Sequence, residues 1–194
     1  MRYTSSEQYA EELKARGFLA WQPSTWPELV LDVDLFVETL GTIFGDSLVS
    51  EIKNVIADAL EVNGDLQHRG HVVALALFCA VDTLASYAFK GKVGYRYVKY
   101  IEVFFPSDYR PHARGLYKTY RNSLVHSWNL FEVGITPGHE PIRAHGNSLQ
   151  LGLLNFFDAL EESVRNFLGR LKSDNDLMIT CQERYTALRK KAAP

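Results

Sequence analysis

The segment from His71 to Phe89 is the most hydrophobic part of this 194-residue chain, and it limits the possible folds more than any other feature. Its apolar run, Val72 to Val81, ends at Asp82 and is far shorter than the roughly 20 residues that cross a membrane. A helix that is apolar on every side has to be surrounded by other elements. The segment therefore predicts the buried central helix of a soluble protein, with no membrane attachment.

Helical patterns separated by turn residues surround this segment. Apolar spacing predicts a helix from Asp32 to Phe44 that Gly45 ends, and a second helix that Asp46 or Ser47 begins and Asn63 ends. Further helices are predicted for Val93 to Phe105, Arg110 to Trp128, Leu153 to Leu171, and from a Ser173 or Asp174 cap to about Lys191.

The stretch from Leu130 to Leu151 differs from these helices because glycines and prolines interrupt short apolar runs. This pattern predicts a β-hairpin-like insertion. We therefore expect one all-α domain, a helix bundle with this insertion after the fifth helix of its core. Its parts are an N-terminal extension (1–31), a helical core (32–129 and 152–192) and the insertion (130–151).

The cysteines and the N-terminus favour a cytoplasmic protein. Cys79 and Cys181 have no CxxC neighbour, which indicates reduced thiols, and residues 1–7 lack the apolar stretch of a signal peptide. Scattered histidines such as His139 and His145 do not form a metal-binding pattern, and the chain has no HExxH, GxGxxG or P-loop motif. We accordingly expect neither a metal nor a cofactor.

Positive charge is concentrated in one part of the chain. The net charge is −2, yet the segment from Lys90 to Arg121 carries eight basic and only two acidic residues. Such asymmetry indicates either a face that binds an anion or simply a solvated helix surface.

The predicted helix from Arg110 to Trp128 holds most of the residues whose side chains could take part in binding or catalysis. Lys118, Asn122 and His126 are spaced to share one stripe of a regular helix, with Arg114 and Arg121 offset from it. The opposite side offers an apolar surface to the core, made of Leu116, Tyr120, Leu124 and Trp128. Cations stabilise the charge of a phosphodiester and of its transition state, and an imidazole transfers protons near neutral pH. With RNA, the 2′-hydroxyl supplies the nucleophile.

The segment Arg121-Asn122-Ser123-Leu124-Val125-His126 resembles the motif of the HEPN superfamily, an Arg followed by a polar residue, three further residues and a His. This resemblance implies a helical bundle, a homodimer whose two motifs face each other, and metal-independent endoribonuclease activity. It also implies membership of a toxin–antitoxin, abortive-infection or antiviral system, with an antitoxin or a neighbouring gene product as partner. Some members of the superfamily only bind nucleotides or act as regulatory partners.

The resemblance suggests a role for each residue of this helix. His126 would be the general acid or base, Arg121 would stabilise the transition state, and Asn122 would orient His126 or the phosphate. Arg114 and Lys118 would hold the RNA backbone, and Tyr117, one turn before Arg121, would join the substrate-binding residues.

Asp82 interrupts the apolar helix, and a buried carboxylate needs a partner. It either positions Arg121 or His126, or it is bonded to a backbone amide or a tyrosine.

Three functions stay open on these residues: a HEPN-like endoribonuclease, a non-catalytic protein that binds RNA, nucleotides or a regulatory partner, and a structural domain. In the last case Arg121 pairs inside the fold, with Asp82 or Glu132, and His126 caps backbone carbonyls.

Overall fold

The computed structural model describes residues 33–63, 70–127, 134–145 and 148–192, with side chains for 33–60, 70–124, 134–144 and 149–188. Helices make up 82% of the described residues, so the predicted all-α class is confirmed. We number six helices. The predicted N-terminal extension (1–31) lies outside the described residues, as do Trp128 and Glu132.

The structure has one helix where the sequence predicted two helices separated at Gly45. Helix α1 is continuous from 33 to 63, with α-helical parts Val33–Gly41 and Ser50–Asn63 joined by a π-helical stretch, Thr42–Val49. A π-helix hydrogen-bonds from residue i to i+5 and so holds extra residues without ending the helix. The stretch keeps Phe44 and Val49 buried, so the helix continues through Gly45.

Helix α2, Gly70–Ala88, is the predicted central helix. It packs against all five of the other described helices. Its buried residues include Val73, Leu77, Phe78, Val81 and Leu84. By length and composition alone α2 could cross a membrane, and half of its most apolar window is buried inside the fold.

The remaining helices begin and end close to the predicted positions. Helix α3 is Val93–Phe104, α5 is Leu153–Leu171 and α6 is Asn175–Ala192. Asp174 caps α6 as predicted, because its Oδ1 accepts a hydrogen bond from the backbone N–H of Leu177 at 3.0 Å. The aromatic stripe of α3 is buried, namely Tyr97, Tyr100 and Phe104.

Helix α4 carries the Arg-polar-x3-His segment and consists of four pieces between residues 107 and 127. A 3-10 turn, Ser107–His112, leads into Ala113–Gly115, a π-helical turn Leu116–Arg121, and a final α-helical part Asn122–Ser127. The backbone N–H of Asn122 bonds to the carbonyl of Tyr117, five residues earlier. The helix that the sequence predicted as regular is therefore underwound at this turn, and the register of Asn122 relative to Lys118 is shifted.

The insertion is a three-stranded sheet and not the predicted hairpin alone. The strands are β1 (Gly134–Thr136), β2 (Arg143–His145) and β3 (Ser148–Gly152), in the order β1-β3-β2. Strands β2 and β3 are antiparallel, with Ala144 opposite Leu149. Strand β1 is parallel to β3, with Ile135 opposite Leu151. Strand β3 is the central strand, and its Leu151 is buried in the core.

Candidate functional site

Helix α4 has two faces, and we call them the back and the front. The back consists of Leu116, Tyr120 and Leu124, all buried as predicted. The ring of Tyr120 stacks on Phe78 of α2 with 5.6 Å between centroids. Its hydroxyl donates to the carbonyl of Leu149 at 2.6 Å and lies 3.2 Å from the carbonyl of Gly134. The back thus fixes α4 both to the central helix and to two strands of the insertion.

The front consists of Arg114, Lys118 and Arg121. Arg114 and Lys118 are exposed, and neither forms an ion pair with any residue whose side chain the structure describes. No described carboxylate therefore neutralises their charges. Arg121 differs from both because it is largely buried, with 17% of its side chain exposed.

Arg121 is held by Asp82, for which the sequence had left Arg121, His126, a backbone amide and a tyrosine open as partners. Its Nε and Nη2 lie 2.7 and 2.6 Å from Oδ2 of Asp82. Two donors on one carboxylate oxygen form a charge-assisted contact with a fixed geometry. Asp82 is itself only 20% exposed, so the pair satisfies two groups whose separate burial would be costly.

Asn122 and Tyr117 complete the environment of the guanidinium. Nη1 of Arg121 donates to Oδ1 of Asn122 at 3.2 Å. The guanidinium also lies over the ring of Tyr117, with 5.9 Å from Cζ to the centroid, a distance at which a cation is attracted to an aromatic face. The structure therefore brings Asp82, Arg121, Asn122 and Tyr117 together in one cluster, which we call the Arg121 cluster.

A π-helical turn forms part of the Arg121 cluster. It makes Asn122 follow Tyr117 by one turn, and it ends at Arg121. Single π-helical turns inside α-helices are often found at functional sites.

His126 belongs to the helical part Asn122–Ser127, but its side chain is outside the part of the chain that the structure describes. Its predicted role as general acid or base consequently stays a prediction, and so does its predicted contact with Asn122. The alternative partner Glu132 also lies outside the described residues.

Three residues near the Arg121 cluster were not predicted to belong to it. The ring of Tyr97 on α3 lies 5.5 Å from the ring of Tyr117, and its hydroxyl is buried with no hydrogen-bond partner among the described residues. Burial raises the pKa of Tyr97 well above its usual value, and the charge of Asp82 adds to the increase. The pKa of the Cys79 thiol is raised as well, mainly by partial burial and to a smaller extent by the negative charge of Asp82, while the positive charge of Arg121 lowers it.

Gly94 on α3 is the third of these residues. A Cβ at this position would lie 2.7 Å from Cε1 of Tyr117, which is closer than side chains pack. A glycine is therefore needed for α3 and Tyr117 to approach each other. Cys79 lies one turn before Asp82 on α2, so helical spacing could have indicated it, whereas the position of Tyr97 depends on how α3 packs against α4.

Nothing in the described side chains groups three His, Cys, Asp or Glu residues where they could hold a metal ion. His139 is exposed, and its Nδ1 lies 3.1 Å from Asp158.

Comparison with known proteins gives no match, whether with a family model, a curated protein or a solved structure. The HEPN resemblance stays a prediction from the segment that carries it.

Proposed function

We propose that the chain is a HEPN-like, metal-independent endoribonuclease. The Arg121 cluster is the single observation on which the proposal depends most. A cation that is fixed by a carboxylate, an amide and an aromatic ring is preorganised, so it needs little rearrangement to stabilise charge that develops on a phosphate. Arg114 and Lys118 on the same helix supply further positive charge for the RNA backbone.

The roles follow from the chemistry of RNA cleavage. The 2′-hydroxyl attacks the neighbouring phosphorus, its proton leaves to a base, and the 5′-oxygen leaves with a proton from an acid. His126 is proposed as one of these proton-transfer groups, because an imidazole can serve in either role near neutral pH. Arg121 is proposed to stabilise the negative charge of the transition state, and Asn122 to orient Arg121 or the phosphate.

The test is cleavage of varied single-stranded RNAs in EDTA by wild type, His126→Ala and Arg121→Lys. We expect cleavage by the wild type, and a loss of about 10²–10⁴-fold in the His126 variant. Arg121→Lys keeps the charge but loses the fork that Asp82 and Asn122 hold, so its rate should also fall. Equal cleavage by wild type and His126→Ala, or none by the wild type, rejects the catalytic proposal.

We also propose that the active form is a homodimer, formed through a groove between α1 and α2. Leu48, Ile52, Val55, Ala76 and Cys79 line this groove. Val55 is 36% exposed, and Val72 on α2 is 49% exposed. Asp82 follows Cys79 by three residues on α2. A second copy in the groove would consequently come close to the Arg121 cluster.

Cys79 makes the dimer easy to test because it is exposed and the other described cysteine, Cys181, is buried. A short thiol-specific cross-linker should yield a covalent dimer with wild type and none with Cys79→Ser. Light scattering should give a dimer that Val55→Glu converts to a monomer. Ile179→Glu on α6, at a residue that is 51% exposed, is the matched control. A wild-type monomer would reject this part of the proposal.

A second candidate function, binding without catalysis, is favoured by one observation. Asp82 and Asn122 already occupy three nitrogens of Arg121, as expected for an arginine whose main role is to hold the local structure. In this case the exposed Arg114 and Lys118 would bind RNA, a nucleotide or an acidic partner. Binding of RNA that depends on salt, without any product, would support this function over the first.

A further inference from the structure

Tyr95 on α3 is an exposed aromatic residue that the function proposed above does not use. It is 59% exposed, more than any other large hydrophobic side chain that the structure describes, and the other exposed ones are all aliphatic. Exposing an aromatic ring forfeits the stabilisation that its burial would give. The other five tyrosines between residues 95 and 120 are buried or half-buried, so Tyr95 stands apart from its neighbours.

The ring of Tyr95 has a defined position over the turn that precedes α3. A Cβ at Gly91 would lie 3.3 Å from Cδ1 of Tyr95, and Gly91 has a φ of +116°. Helical side chains point towards the N-terminus of their helix, and this ring follows that rule. Gly91 carries no side chain, so the ring lies close to the backbone of this turn and keeps most of its surface in solvent.

Tyr95 is connected to the Arg121 cluster through its neighbour in sequence. Gly94 touches the ring of Tyr117, and Tyr117 lies under the guanidinium of Arg121. The path from Arg121 to Tyr95 therefore crosses one aromatic ring and one glycine.

The charges around Tyr95 suit a nucleic-acid strand. Lys92 is exposed and forms no ion pair with a described residue, whereas Lys90 is paired with Glu183 at 2.6 Å. The first turn of α3 contains no acidic residue, and the N-terminal end of a helix carries partial positive charge. An aromatic ring beside an available cation is the combination that binds single-stranded nucleic acids, by stacking a base and contacting its phosphate.

We propose that Tyr95 is a base-stacking site for single-stranded RNA, with Lys92 contacting the adjoining phosphate. The site takes a nucleotide beyond the one whose phosphate lies at Arg121. This inference rests on the proposed function, since it requires RNA at the Arg121 cluster. It adds a substrate-binding residue on α3, outside the helix that carries Arg121.

The experiment measures the binding of two labelled probes by fluorescence anisotropy. One is a short oligoadenylate, and the other is a ribose-phosphate chain of the same length without bases. The variants are Tyr95→Ala, Tyr95→Phe, Arg121→Ala and, as a control, Ile179→Ala, which also removes an exposed apolar side chain. Urea unfolding checks that each variant is folded.

Tyr95→Ala should weaken oligoadenylate binding about tenfold and leave binding of the base-free probe unchanged. Tyr95→Phe keeps the ring and should bind like the wild type, as should Ile179→Ala. The inference is overturned if Tyr95→Ala binds oligoadenylate as tightly as the wild type, or if its affinity falls equally for both probes. If Arg121→Ala weakens binding while Tyr95→Ala does not, only the stacking site is wrong. If the wild type binds neither probe, the proposed function fails as well.

Discussion

Tyr120 and Arg121 are adjacent in sequence but lie in opposite environments on helix α4. Tyr120 is fully buried, stacked on Phe78 and bonded to two strands of the insertion. Arg121 keeps part of its surface in solvent and is surrounded by a carboxylate, an amide and an aromatic ring. The back of α4 therefore stabilises the fold, and it holds in place a front whose charges can be used for binding.

Removal of the Tyr120 side chain should have the largest effect on stability. Tyr120→Ala loses the stack on Phe78 and leaves the carbonyls of Leu149 and Gly134 without their donor. Large-to-small substitutions of buried aromatic residues cost about 3–5 kcal/mol, and urea unfolding measures this loss. A loss below about 1 kcal/mol would contradict the role assigned to the back of α4.

The Asp82–Arg121 pair should contribute less, because both side chains retain some exposure. Asp82→Ala leaves a guanidinium without its main partner, and we expect a loss of about 1–3 kcal/mol. The double variant Asp82→Ala/Arg121→Ala should recover part of the lost stability, since no unpaired charge remains. A double-mutant cycle from urea unfolding gives the coupling free energy between the two side chains. If the two losses simply add, the contact does not form in solution.

The buried tyrosines predict instability at high pH. Burial raises the pKa of Tyr97, Tyr100 and Tyr120 above the ordinary value of 10.0. The folded chain thus binds these protons more tightly than the unfolded chain. The stability that they contribute is complete below pH 10 and declines as the pH rises above it. Circular dichroism and tyrosinate absorbance should change together, whereas tyrosinate that appears with the helices intact would argue against burial.

Substitutions of the two exposed cations on the front of α4 should have the smallest effect on stability. Arg114→Ala and Lys118→Ala remove exposed side chains without an ion pair among the described residues, and exposed substitutions of this kind change stability by within about 0.5 kcal/mol. Thermal unfolding measures the change. A loss comparable with that of Tyr120→Ala would mean that the front is structural too.

The back of α4 could be predicted from the sequence, and the front only in part. The spacing of Leu116, Tyr120 and Leu124 follows helical periodicity, which the sequence shows directly. By contrast, Arg121 and Asp82 are 39 residues apart in the chain. A partner for Asp82 was expected because burying a lone carboxylate is costly, but whether Arg121 was that partner depended on how α2 and α4 pack.

The errors in the predicted fold have a common origin. Gly45 was expected to end a helix and instead lies inside a π-helical stretch of α1, and a second π-helical turn changes the register of α4. The parallel pairing of β1 with β3 joins segments that are not neighbours in sequence. In each case packing against segments that are distant in sequence determines the backbone geometry, so the local sequence alone does not predict it.

The salt dependence of RNA binding tests most directly whether the front of α4 contacts the RNA backbone. For single-stranded RNA, each lost phosphate contact reduces the slope of log K against log salt by about 0.7. Arg114→Ala/Lys118→Ala should therefore bind more weakly, with a slope about 1.4 smaller. Arg165→Ala/Lys172→Ala on the surface near α5, which removes the same charge, should keep the wild-type slope. Equal slopes for wild type and both double variants would contradict the account.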